Sequence, residues 1–526
     1  MSSYSSLFSK KLKKDLSRIT HVSARKFLLK WGYAPSAARM PDYYQPAGFD
    51  SINLKAIGWG RNSKPLFTKT LDIFTPKGRL SWRSFNYSNP YIFLHTVSEI
   101  TKKENWETLK KLLTKETLVY SYSTPVFDLK RSEKLSSRGF FNWFQMAEKD
   151  LIKDCSEYNN LTVTDIRNFY PSIYTHSLAW AVHGKGIMKK LENRQDYNFF
   201  GNKLDKLLQN TRDGQTNGIP VGSMVSDIVA EIILIDIDQK LSEKIKKAHL
   251  EKKVLVARYR DDYRILSKTV DEGRIVLGFI NFILNTEYDL QLNSDKTQSY
   301  TDIIEGTFRP WSLEIKNSHL LRKIYVGDLS ECNTSSQLKD CLIETYRIQK
   351  KFPSARVSIS ILARLVEGLY NHPSKIKLKN ESIPEVISIL RKLTLLREEV
   401  TPEVFLLLDI LLKHLKSVKE KKLILLRIKK VISGKSDQSY QLIWFYRLCL
   451  SHAPEMCKNI LSQNNIPLLR VISKQYFKHD YLVFPQVDFS DSDKKELEKF
   501  QFIDSKKLKK ARGNQITPLS INPFRY

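Results

Sequence analysis

Between residues 160 and 300 the chain alternates short runs of β-branched and aromatic residues with longer runs of helical period. LTVTDI (161–166), KVLVARY (253–259) and YRILSK (263–268) predict strands, and LQLNSDKTQSY (290–300) predicts a turn and a further strand. SLAWAVHGKGIMKKLEN and EGRIVLGFINFILNTE predict helices. The turn GIPVG (218–222) opens a long helix through AEIILIDIDQKLSEKIKK, with Val225, Ile228, Val229, Ile232 and Ile233 recurring on one face. Before this stretch, residues 5–32 predict one or two basic helices, with Leu7, Leu12, Leu16 and Ile19 at three-to-four spacing. GYAPSAARMPDYYQPAGF reads as an irregular connection, and helices are expected at 102–116 and about 140–155. Beyond residue 330 the strand pattern stops. SQLKDCLIETYRIQKKF, VSISILARLVEGLYNH, IPEVISILRKLTLLREE and the long run 401–432 predict stacked helices of irregular repeat.

These changes of pattern suggest three parts: an extension over 1–120, a mixed α+β region over 121–310 and an all-helical region over 311–526. A chain of 526 residues with 41% hydrophobic content can bury two or three cores. Lys and Arg number 86 against 56 Asp and Glu, a formal charge of +30, which points to a polyanionic partner, nucleic acid first. The lysines are spread along the chain and not gathered beside an apolar anchor. With no apolar stretch of signal-peptide or membrane-spanning length, the expectation is a cytoplasmic protein with no membrane partner. The five cysteines lack close paired spacing and indicate neither a zinc cluster nor a disulfide framework.

Candidate chemistry gathers at RYRDDYRIL, which sets Asp261 and Asp262 between two apolar strands. A doubled aspartate in a turn is ordinarily solvated surface. Neighbours on a straight strand point to opposite faces, but a tight hairpin relaxes that restriction. A hard divalent cation needs several oxygen ligands, and Asp165, at the end of LTVTD, is the natural third supplier. Three such carboxylates suit two magnesium ions, with manganese as a substitute, and phosphoryl-transfer chemistry.

The order DIRNFYPSIYTH, GIPVGSMVSDIVAEI, RYRDDYRIL, LQLNSDKT resembles the palm of reverse transcriptases. It is most similar to the bacterial abortive-infection, antiphage-defence members, which join palm and fingers to a helical-repeat domain. The resemblance implies an α+β right-hand polymerase palm and fingers followed by an all-α helical-repeat domain. It assigns Asp165, Asp261 and Asp262 to metal binding and catalysis and Lys296 to protonation of the leaving pyrophosphate. Tyr170 matches the steric gate against a ribose 2′-hydroxyl, with Phe169 as its core neighbour. Gly218, Pro220, Val221, Gly222 and Ser223 match the turn beneath the nucleotide, where glycine permits close approach, and Ser226 and Asp227 match a recurrent pair on the helix that follows. Lys130, Arg131 and Arg138 are candidates for the triphosphate, while Arg260 and Arg264 either touch a phosphate or relieve repulsion.

Many templated members carry glutamine where this chain has Val221. Some abortive-infection members are template-independent and protein-primed, so the resemblance implies dNTPs as substrates and a single-stranded DNA product attached to the protein. Assembly into a homo-oligomer and a role in antiphage defence are implied with it. Tyr440, Tyr446 and Tyr476 are aromatic candidates in the helical region, with plain packing as the default. Two alternatives stay open: an RNA-templated reverse transcriptase with a dedicated RNA, and a catalytically silent nucleic-acid-binding module.

Overall fold

The computed structural model describes residues 3–35, 38–44, 46, 48–55, 66–78, 81–127, 149–307, 310–326, 334–371, 382–432, 439–463, 466, 468–469 and 490–512. A five-stranded sheet forms its centre, in the order β3 (Val119–Ser121), β5 (Val254–Tyr259), β6 (Asp262–Ser267), β4 (Asn160–Asp165), β7 (Gln298–Tyr300). β3 runs parallel to β5, and the other neighbours are antiparallel. The period of two along β5 divides its side chains between two cores. Val256 joins the larger one, whereas Leu255, Ala257 and Tyr259 join a smaller one with Leu161 and Leu266.

The helix Met224–Lys247 starts where Ser223 accepts the Ser226 N–H, as an N-cap should. Its predicted stripe is buried, but so are Ala230, Leu234, Ile235 and Ile237. It is a central helix, apolar nearly all round, and not a surface one. Val270–Ile283 begins with a capping box at Thr269 and Glu272 and packs on β4 and β6.

The basic stretch over 5–32 forms two helices, Tyr4–Ser17 and His21–Trp31. The leucine spacing misleads on the first: Leu7 is exposed, while Ser5, Ser9, Lys13 and Leu16 are buried, and Asp154 accepts the Ser5 N–H and hydroxyl. LDIFTPK and SWRSFNY form an unforeseen hairpin, β1 (Leu71–Lys77) with β2 (Ser81–Tyr87), paired from Leu71 opposite Tyr87 to Lys77 opposite Ser81.

A long run of helices follows the sheet. The predicted helix over 401–432 is two, Thr401–His414 and Val418–Ile432, because the Ser417 hydroxyl accepts the Glu420 N–H and caps a new start. The region joins the N-terminal part through the Gly78 N–H to Glu399 (2.8 Å) and the Tyr440 hydroxyl to the carbonyl of Ala38 (3.0 Å). Tyr440 and Tyr446 are buried packing residues, and Tyr476 lies outside the described residues. Cys155, Cys449 and Cys457 are in no disulfide, but Cys341 is disulfide-bonded, which the scattered spacing did not suggest. Among the described residues no helix is long and apolar enough to cross a membrane.

Candidate active site

The three aspartates meet at one end of the sheet. Asp165, the last residue of β4, stands in register opposite Asp262, the first of β6. Arg260 and Asp261 make the turn between β5 and β6, and Arg260 takes the left-handed conformation (φ 52°) without being glycine. That strain is held from both sides: the Ser123 hydroxyl accepts the Arg260 N–H (3.0 Å), and the Asp261 carbonyl accepts the Ile166 N–H (3.0 Å). The tip is thereby stitched to the end of β4.

Burial raises the pKa of Asp261 to about 6, with repulsion from Asp262 and Asp165 adding to it. Asp165 is buried; Lys296 donates to its Oδ2, while its Oδ1 has no hydrogen-bond partner. Among the described residues no group of three or more His, Cys, Asp or Glu side chains forms a ready metal cage. The carboxylates are gathered at one edge without being converged, as expected for like charges one of which is tied to a lysine. An orphaned carboxylate oxygen beside two crowded aspartates is nonetheless a donor set suited to a hard divalent cation.

Tyr170 follows Asn168, whose left-handed φ of 51° turns the chain into the short helix Phe169–Ser172. Phe169 is core and Tyr170 is half-buried. The Tyr170 hydroxyl donates to Asp227 Oδ1 (2.7 Å), and Arg260 Nη2 donates to Asp227 Oδ2 (2.6 Å). Asp227 thus ties the helix start to both the tyrosine and the aspartate turn. Arg260 faces this carboxylate, which leaves the relief of local charge as its visible work. Arg264 donates to the Tyr263 carbonyl (3.3 Å).

The glycine turn docks beneath Tyr170. Its carbonyl accepts the Ile219 N–H (3.0 Å), and the Ile173 carbonyl accepts the Gly218 N–H (2.7 Å). Gly218 and Gly222 both have positive φ, and an added Cβ at Gly222 would stand 2.5 Å from Pro35 Cβ. At Gly218 it would come within 2.8 Å of the Pro171 carbonyl oxygen. In the direction a Cβ would take, both glycines meet protein atoms, so backbone conformation and packing each require glycine here. Pro220 is buried between them. Val221 exchanges two hydrogen bonds with Asn86, its N–H to Oδ1 (2.8 Å) and its carbonyl from the Asn86 N–H (3.0 Å), which pins the turn to β2. Ser223 is occupied as the helix cap.

Lys130, Arg131 and Arg138 lie outside the described residues. The basic groups that sequence reasoning missed are Lys77 and Arg83, on the β1–β2 hairpin. Burial lowers the pKa of Lys77, Arg83 and Lys296 lower it further, and Asp165 and Asp261 oppose that, so this lysine shares the field of the carboxylates. The alternation around Pro-Lys-Gly was the signal that would have found them.

The family model described as reverse transcriptase (RNA-dependent DNA polymerase) matches residues 97–337. The chain therefore carries a reverse-transcriptase-like domain, of the nucleotidyltransferase class. Among solved structures, apo telomerase from Candida tropicalis truncated from its C-terminal domain matches at 15% identity and TM-score 0.30, covering 45% of this chain and 51% of that one. This chain thus spans about half the length of that structure. The untruncated apo telomerase from Candida tropicalis matches at 14% identity and TM-score 0.29, over 76% of this chain and 71% of that one. Telomerase from Candida albicans in complex with a fragment of telomeric RNA matches at 10% and TM-score 0.29, over 77% and 66%. No curated protein matches.

Proposed function

We propose that this protein is a DNA polymerase of the reverse-transcriptase type that copies an RNA template from dNTPs. The observation that carries the reading is the gathering of Asp165, Asp261 and Asp262 at one end of the inner strands, with an unpartnered Asp165 oxygen and Lys296 at its other oxygen. The family match supports the RNA-templated form. Asp165, Asp261 and Asp262 would hold magnesium, which when bound supplies neutralising charge at the phosphates and lowers the pKa of an attacking hydroxyl. The hydroxyl gives up its proton to solvent water, its oxygen bonds to the α-phosphorus as the bond to the bridging oxygen breaks, and pyrophosphate leaves with that electron pair. Lys296 Nζ transfers its proton to the pyrophosphate oxygen. Tyr170, held through Asp227, would crowd the 2′-hydroxyl of a ribonucleotide.

One observation favours a second reading. Val221 offers only its backbone to Asn86 and no side-chain amide to a template, which suits template-independent, protein-primed synthesis. That reading brings with it a single-stranded DNA product covalently attached to the protein, homo-oligomeric assembly and the antiphage abortive-infection role. The test is incorporation of labelled dNTPs by the purified chain with magnesium, with and without a primed RNA template, followed by denaturation. Template-dependent product free of protein is the expected result. Product made without template and retained on the protein transfers the assignment to the second reading.

A further inference from the structure

The β1–β2 hairpin is a sheet of two strands, and such a ribbon has no fixed place by its own hydrogen bonds alone. Its tip is tied at Gly78 to Glu399. In β2 only Phe85 and Tyr87 are buried, so these two rings seat the base of that strand. Phe85 stands against the glycine turn, 2.9 Å from where a Cβ on Gly222 would lie. Tyr87 packs on Tyr33, with ring centres 5.6 Å apart, and on Phe502, at 4.8 Å. Phe502 is fully buried and lies between the helices Asp491–Leu497 and Ser505–Arg512. This segment, 491–512, crosses the N-terminal part as a brace with its own fastenings. Asp493 accepts the Lys55 N–H (3.1 Å), Glu496 the Asn53 N–H (2.8 Å), and the Tyr43 carbonyl accepts the Asp504 N–H (2.8 Å). The fit leaves no slack: a Cβ on Gly48, whose φ is 91°, would stand 2.5 Å from the Lys499 carbonyl oxygen. Phe500 completes the seat against Phe49 (5.0 Å) and Tyr33 (5.8 Å). Successive side chains of a strand face opposite ways, so while Tyr87 meets the brace, Asn86 turns to Val221 and exchanges two hydrogen bonds with it. Two residues before Val221, the Ile219 N–H reaches the Tyr170 carbonyl (3.0 Å).

We propose that Phe502 is a positioning residue for Tyr170: it seats Tyr87, and through Asn86 and the glycine turn it sets where the Tyr170 backbone stands. The segment 491–512 thereby takes part in the choice between ribose and deoxyribose. The role given to Tyr170 rests on the polymerase reading; the mechanical link from Phe502 to the glycine turn does not. Phe502 acts only through the strand, so its effect must pass through Tyr170 and vanish when that ring is gone.

Two measurements on the full chain test it. The first is the ratio of ATP to dATP incorporation on a primed RNA template with magnesium. Phe502→Ala is expected to raise that ratio roughly fivefold, and Phe502→Leu, which keeps most of the buried volume, to raise it less. In a Tyr170→Ala background Phe502→Ala should leave the ratio unchanged, because two changes on one path do not add. The second is hydrogen exchange of the metal-free protein. The Asn86 and Val221 amides should exchange roughly tenfold faster in Phe502→Ala, while those of β5 keep the wild-type rate. Where the alanine variant does not fold, the leucine variant carries both measurements. Equal losses for both nucleotides with an unchanged ratio, or wild-type exchange at Asn86 and Val221 in the folded variants, overturns the proposal. A wild-type chain that incorporates neither nucleotide refutes the polymerase reading. Faster exchange at the two amides then upholds the mechanical link, and wild-type exchange rejects it.

Discussion

Arg258 and Asp261 are three positions apart on one hairpin, and they belong to charged clusters built on opposite principles. Arg258 is fully buried; it donates through Nε and Nη2 to Asp238 (2.7–3.0 Å) and through Nη1 and Nη2 to Glu231 (2.8–3.2 Å). Ser121 and Ser123 donate to the two oxygens of Glu231, each at 2.7 Å. Burial pushes the Glu231 carboxyl up, but Arg258 and these serines more than offset it and hold it below its usual range, while at Asp238 burial outweighs Arg258 and raises the carboxyl to about 6, so the two clusters differ in hydrogen-bond satisfaction and not in the direction of every shift. At the tip Asp165 keeps one oxygen without a partner, and Asp261 is pushed up by burial and by its acidic neighbours. The fold can satisfy carboxylates when it needs them only for structure. At the strained turn it leaves an Asp165 oxygen without a partner beside Asp261, a donor set whose chemistry suits a hard divalent cation.

That contrast is broken most directly at its structural end. Arg258→Met leaves Glu231 and Asp238 buried without their cation, and should cost about 3 to 5 kcal/mol of folding stability. Chemical denaturation of the soluble fraction measures it. A loss below about 1 kcal/mol would mean that water or another cation enters, and that the cluster is not closed.

At the functional end the signs reverse. Asp261→Asn removes a repelling charge, so the metal-free protein should be no less stable than wild type. Nucleotide incorporation should nevertheless fall on the order of 10²- to 10³-fold. Magnesium should raise the melting temperature of the wild type and leave the variant unmoved, because a ligand stabilises only a state that binds it. A destabilised variant that still responds to magnesium would place Asp261 in the structural class with Asp238.

The same contrast explains what could be read from the amino-acid order. The strands around Asp261 were legible because Val254–Tyr259 and Tyr263–Ser267 are β-rich and the turn between them is short. The role of Arg258 was not, since its partners lie 20 and 27 residues away on the long helix, and period alone does not say which of that helix's several acids turns toward the strand. The β1–β2 hairpin was hidden for another reason. The alternation along β1 breaks where Thr75 and Pro76 are both buried, and the residues across a cavity from its cations, Lys77 and Arg83, lie almost 300 positions later. Gly218 and Gly222 were found, but their crowding against Arg212, Pro35 and Phe85 is a tertiary fact. Asp227, indistinguishable in sequence from an ordinary early-helix charge, gains its meaning from Tyr170 and Arg260.

The smallest expected effect lies between the two clusters, in the chain Tyr170–Asp227–Arg260. Tyr170→Phe removes one hydrogen bond to an acid that keeps its arginine at 2.6 Å, so stability should fall by only about 1 kcal/mol. The ring stays, and with it the obstacle to a 2′-hydroxyl. Tyr170→Ala removes the ring, and the ratio of ribonucleotide to deoxynucleotide incorporation should rise at least about tenfold. Measuring that ratio for both variants separates ring from hydroxyl. If the phenylalanine form accepted ribonucleotides as readily as the alanine form, discrimination would reside in the hydrogen bond to Asp227. Tyr170 would then belong with Arg258 among groups whose work is to complete a network.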